Sequence, residues 1–144
     1  MAFDAYRGLI DQVTASVTGL PTTLHRVYEN PSDALDAAEL PALAVFARSI
    51  DAEVFSEIAT DDGNLELHRL AVIVASVCKT RDQRDTSSLE VKEAILVTAK
   101  PGYLRRYTHT DFEERGEGER TLWVVSQRFE IDYTVIATDP GTIV

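Results

Sequence analysis

The sequence predicts an α+β domain: a mostly antiparallel β-sheet with a long C-terminal β-hairpin, flanked by an N-terminal helix and a second helix. Three observations carry this. The stretch TLWVVSQRFEIDYTVI, Thr121 to Ile136, contains no glycine or proline, and Trp123, Val125, Phe129, Ile131, Tyr133 and Val135 fall on alternate positions, the period of a strand with one buried and one wet face. The run Leu70 to Val77 is almost unbroken β-branched and small apolar residues, as in a central strand covered on both sides. The candidate strands are joined by short turns, which pair neighbours antiparallel.

Taken in order, Phe3, Tyr6, Leu9, Ile10, Val13 and Val17 recur at helical spacing, and Gly19 and Pro21 stop the helix. Thr23–Tyr28 reads as a short strand. ENPSDALDAAELP reads as a loop with one helical turn capped by Ser32. Ala42–Ser49 and Asp51–Ile58 read as two strands, and the Asp-Gly of ATDDGN as a turn before the strand Leu65–Lys79. TRDQRDTSS, Thr80 to Ser88, reads as a polar loop. A helix then starts from a Ser87/Glu90 capping box, with Leu89, Lys92, Ile95, Leu96 and Ala99 on its packed face and Pro101-Gly102 as its stop. Tyr103–Glu114 and the stretch from Thr121 form the hairpin around the polar tip RGEGE. Residues 1–137 make one domain, and 138–144 a frayed tail.

The chain has 144 residues, enough for a core without staples. Its apolar runs fall short of the ~20 residues of a membrane helix, and MAFDAYRGLIDQV lacks the apolar run of a signal peptide. A single cysteine, Cys78, excludes an internal disulfide and fits a reducing compartment. Twenty-four acids against fourteen bases give a net charge of −10, which argues against a protein that grips phosphate backbones.

Signatures of catalysis are missing. No phosphate-binding glycine loop or nucleophile elbow occurs, and the glycines of RGEGER sit in a turn. His25, His68 and His109 lie on separate strands and read as sheet-face side chains, and Cys78 as a packed one. The acid pairs Asp61/Asp62 and Glu113/Glu114 border turns and read as solvated. No catalytic residue, metal ligand or cofactor is assigned.

Three features together resemble the tail terminator family of long-tailed bacteriophages, the lambda-type minor tail protein U family. They are the order of elements, the segment LDAAELPALAVF with Leu40-Pro41-Ala42 leading into a strand, and the charged hairpin ending FEIDYTV. The resemblance spans about residues 1–137. It implies a structural protein of the virion, assembled in the bacterial cytoplasm: a homo-hexameric ring at the tail–head junction that caps the tail tube protein, stops its polymerisation and offers a surface to the head–tail connector. DNA passes through such a ring without specific binding, and no membrane is involved. The alternatives are a head-completion or stopper ring and, from another class, a small enzyme or ligand-binding domain.

The resemblance also bears on a length. Sixteen residues at ~3.3 Å each reach roughly 50 Å, against a usual strand of about 5–6 residues. A neighbour in a ring would cover what one subunit's core cannot. On that expectation Glu114, Gly116, Gly118, Trp123, Phe129 and Tyr133 are interface candidates. The acids Asp33, Asp36, Glu39, Asp61 and Asp62 are candidates for a lumen lining that repels DNA.

Overall fold

The computed structural model describes residues 5–22, 27–37, 40–60, 63–98, 105–117 and 120–144. Its elements are α1 (Tyr6–Val17), β1 (Val27–Tyr28), α2 (Pro31–Leu35), β2 (Ala42–Thr60), β3 (Gly63–Cys78), α3 (Arg81–Glu93) followed by a π-helical turn (Ala94–Thr98), β4 (Arg105–Glu117), β5 (Arg120–Ile136) and β6 (Asp139–Ile143). The fold is α+β. One sheet runs β1-β2-β3-β5-β4, with β6 also on β5. All pairs are antiparallel except β1 with β2.

The alternation of β5 is realised from Val125 to Val135, whereas Trp123 is half-buried and Leu122 and Val124 are buried on the other face. Phe129, Ile131, Tyr133 and Val135 enter a core with Leu70, Val72 and Val74 of β3 and Leu43 and Val45 of β2. Over it lie Leu9, Val13 and Val17 of α1, the face that helical spacing marks, and Val91, Ala94 and Ile95 of α3 and its π turn. Gly19, at φ +79°, supplies the left-handed residue after α1. The opposite face has a smaller core at one end. There Ala34, Ala37 and Leu40 in and after α2 pack on Ala42, Ala44, Ala75, Val77, Leu122 and Val124. Small side chains on β2 and β3 let this short helix approach closely.

Several expectations change. The two strands read at Ala42–Ser49 and Asp51–Ile58 are one strand, β2, with register shifts at Arg48 and again between Phe55 and Ala59. Thr80–Ser88 is not a loop: α3 starts at Arg81, and Thr80 caps it by accepting from the Gln83 N–H at 3.1 Å. The packed stripe of α3 is Arg84, Ser87 and Val91, leading into Ala94 and Ile95, while Leu89 is 59% exposed. Ser87 is buried because its hydroxyl donates to that of Ser76 at 2.8 Å, so a polar residue occupies a core position without an unmade bond. Glu90 belongs to no capping box and accepts instead from the Thr22 N–H. The cap of α2 is Asn30 rather than Ser32, because Pro31 fits the first helical position and leaves the cap to the residue before it. The segment expected to fray forms β6, and Val144 N–H donates to the Thr134 carbonyl.

The length of β5 finds its partners within the subunit. β3 pairs it along Trp123–Ile136. On the other side β4 pairs Arg120–Ile131, and β6 takes over at Val135 and Ile136. β5 is therefore a central strand. The free edges belong to β4 beside it and to β2 on the far side of β3. Among the described residues neither β4 on its outer side nor β2 beyond Ala44 has a strand partner.

Candidate functional site: an open sheet face between two free edges

Beyond α2, the second face of the sheet carries no helix among the described residues and is largely polar. Arg69 of β3, Arg106 of β4, and Arg128, Glu130 and Asp132 of β5 form one network across three adjacent strands. Arg106 reaches Asp132 at 2.9 Å and Glu130 at 3.1 Å. Arg69 reaches the same two acids at 3.0 and 3.7 Å. Arg128 meets only Glu130, at 3.8 Å. Burial would push the Asp132 carboxyl up, but hydrogen bonds from Arg106 and then Arg69 outweigh it and hold its pKa below the ordinary 3.8. Hydrogen bonding to Asp132 in turn raises both arginines.

Beside this network is a hollow of about 420 Å³, lined by Phe46, Arg48, Ile73, His109, Asp111, Ser126 and Arg128. His109 and Asp111 pair across 3.0 Å on its β4 side. A second cleft, about 540 Å³, lies between α1 and the β1–β2 edge, with Tyr6, Arg7, Asp11, Tyr28 and Glu29 on its walls.

The other face has apolar side chains that its helices leave exposed. They are Leu89, Leu96, Val97 (78% exposed), and Tyr107 and Phe112 of β4. Lys92 lies over the Tyr107 ring at 4.1 Å, and Arg84 over Phe112 at 4.8 Å and Trp123 at 5.3 Å. Through these long side chains α3, which packs over β3 and β5, reaches β4, and the apolar residues lie toward that edge strand.

The residues singled out from sequence are dispersed. Phe129 (0% exposed) and Tyr133 (3%) belong to the subunit's own core and are not offered to a neighbour. Their alternation marks burial, and here the subunit itself buries them. Trp123 is half-buried against Arg84, while Glu114 and Gly116 are exposed near the end of β4. Asp33 within α2 and Asp36 at its C-terminal cap are exposed, and Asp33 is already held by the Asn30 amide at 2.8 Å. Gly118, Glu39, Asp61, Asp62 and His25 lie outside the described residues.

Among the described residues no three of His, Cys, Asp and Glu stand together as metal ligands. Burial pushes the Cys78 thiol up to about 12, which makes it a packing group rather than a nucleophile. His68 sits under the helix-covered face beside the Tyr133 hydroxyl at 3.2 Å. Sequence reasoning missed the arginine–carboxylate network. Its signal was present in the polar positions Arg128, Glu130 and Asp132 of β5, but its partners Arg69 and Arg106 come from strands whose register sequence alone does not fix. No protein-family profile matches the chain, and no curated protein matches it.

Proposed function

We propose that this protein is a structural assembly subunit, a tail terminator of a phage or phage-like particle. It would form a ring, of six copies by the resemblance, that caps the tail tube, ends its growth and presents a surface to the head–tail connector. The observation that carries this reading is the pair of long free edges on opposite sides of one sheet, β2 beyond Ala44 and β4 over Arg105–Glu117. An unpaired edge is a template for another strand. β4 runs opposite to β5, and β2 runs with β5, so β4 of one copy and β2 of the next would meet antiparallel about an axis roughly along the strands. Two different edges meeting head to tail generate a ring when the rotation closes.

The free part of β2 and the span of β4 are also staggered. Arg105 stands level with Ile131, Leu70 and Ile50, and β4 then extends toward the α2 end while free β2 extends away from it. Neighbours would therefore join with an axial offset, as closed sheets with tilted strands require. The exposed acids Asp33 and Asp36, with the other loop acids, remain the candidates for a lumen that repels DNA.

Electron microscopy of particles assembled without this protein tests the reading. Overlong tails lacking heads are expected. Normal tails beside unplugged heads would assign it to the head-side connector instead, and unaltered particles would remove it from tail assembly.

A further inference from the structure

We propose that the hollow between Arg48, His109, Ser126 and Arg128 binds a carboxylate, and that its occupant is an acidic segment of a different protein chain. The hollow is a product of two backbone irregularities at one level of the sheet. In β2, Ala47 stands opposite Val72 and Ser49 opposite Ala71, which leaves Arg48 extra. In β4, Tyr107 stands opposite Phe129 and His109 opposite Arg128, which leaves Thr108 extra. Val72 and Phe129 are themselves partners, so both bulges fall on the same row. A bulge bends its strand and re-aims a side chain. Here the first presents Arg48, and the second lies next to His109, on opposite walls of the same hollow.

At the hollow itself Arg48 and Arg128 outnumber the one acid, Asp111, which already meets His109. Asp132 and Glu130 are shared among Arg69, Arg106 and Arg128. Arg106 and Arg69 take the short contacts. Arg128 keeps the longest, and its Nε is buried without a hydrogen-bond partner. A buried donor left unmade is costly, and a ligand oxygen would remove that cost. Arg48 is exposed and makes no hydrogen bond or ion pair among the described residues. Two guanidiniums, a serine hydroxyl and an imidazole thus face one space, and the guanidinium fork matches a carboxylate.

The remaining walls narrow the ligand. Phe46 and Ile73 supply apolar contact of the kind a glutamate stem or an adjoining apolar side chain would use. Two arginines beside Asp111 can take one carboxylate but offer no run of positive charge for a polyanion such as nucleic acid. The walls are side chains on the face of β2, β3, β5 and β4, whereas copies joining edge to edge would pair through the backbone of β2 and β4. The hollow therefore stays open when copies join edge to edge, which is why a different chain is its occupant.

The test is an NMR titration of the ¹⁵N-labelled full chain with the capped peptide acetyl-Leu-Glu-Leu-amide and with its glutamine counterpart. Saturable shifts confined to 46–48, 73, 109–111 and 126–128 are expected with the glutamate peptide, and weaker binding of the glutamine peptide by roughly tenfold, the scale of a charge-assisted hydrogen bond. Arg48→Gln, at an exposed position, should lose about as much with its spectrum otherwise unchanged, and Arg128→Gln should repeat the loss. Equal binding of the two peptides, or binding untouched by Arg48→Gln, overturns the proposal. Tighter binding of inorganic phosphate or of a short DNA duplex at these residues also overturns it. So does a loss of the protein's own self-association in Arg48→Gln, which would make a second copy the occupant.

Discussion

The two faces of β5 are built from one unbroken run of residues, yet they behave differently. Phe129, Ile131, Tyr133 and Val135 point into a core roofed by α1 and α3, whereas Arg128, Glu130, Asp132 and Thr134 point into the open. On the roofed face, burial removes apolar surface from water, which favours folding by about 25 cal/mol per Å². On the open face, the polar positions are tied to one another across strands instead of to a covering layer. Alternation announces that one side of a strand is buried. It does not announce what buries it. Expecting a neighbour over Phe129 and Tyr133 treated an internal core as an external interface.

The sharpest way to break this contrast is to truncate one residue from each face. Phe129→Ala removes a fully buried ring beneath the helices and should destabilise the fold by about 3–5 kcal/mol. Arg128→Ala, one position away on the open face, should cost no more than about 1 kcal/mol, since its ion pair is long and partly solvated. Urea denaturation of both variants measures the difference. Equal losses would mean that the open face contributes to stability as the core does.

A smaller effect distinguishes the open face by pH. Asp132 has a folded pKa held below 3.8, chiefly because arginine hydrogen bonds overcome the upward push of burial. A depressed carboxyl contributes stability that is present above its unfolded value and disappears as pH falls through its folded value. Arg69 and Arg106 are themselves partly exposed, at 45% and 35%, so screening reduces the contribution to about 1 kcal/mol or less. Asp132→Asn should therefore lower the urea midpoint at pH 7, and the gap to the parent protein should close well below pH 3.8. A gap of constant size at both pH values would show that the carboxylate's charge is not what holds the network.

How much of this was legible follows the same division. The roofed face was readable because helical spacing in α1 and period two in β5 each mark one apolar stripe, and both stripes enter the same core. α3 was misread because its inward stripe is Arg84 and Ser87 before Val91, polar residues satisfied by Asp85 and by Ser76. An apolar count therefore chose the wrong side and the wrong start. Thr80 and Gln83 did carry the spacing of a capping motif, with Gln83 also accepting from the Lys79 N–H, so that boundary could have been found. The open-face network and its hollow were beyond reach of the sequence. They depend on bulges at Arg48 and between Tyr107 and His109, which shift register without any local residue signal.

The smallest expected change in stability tests the roofed face at its margin, where the helices stop short of the β4 edge. Leu89 and Val97 are 59% and 78% exposed there, toward a strand with no outer partner among the described residues. An exposed apolar side chain that touches nothing in the subunit contributes little to folding, so replacing it should move stability by no more than about 0.5 kcal/mol. Leu89→Gln also keeps a residue of similar helix propensity. If this margin is where a second copy lays its edge, the double variant Leu89→Gln, Val97→Ser should unfold at the parent's urea concentration but associate more weakly. Sedimentation velocity over a concentration series reads the association directly. Unchanged association in the double variant would confine copy-to-copy pairing to the backbone of the edges. A loss of stability well above that range would show instead that the two side chains belong to the roof, and that the roofed face is finished out to β4.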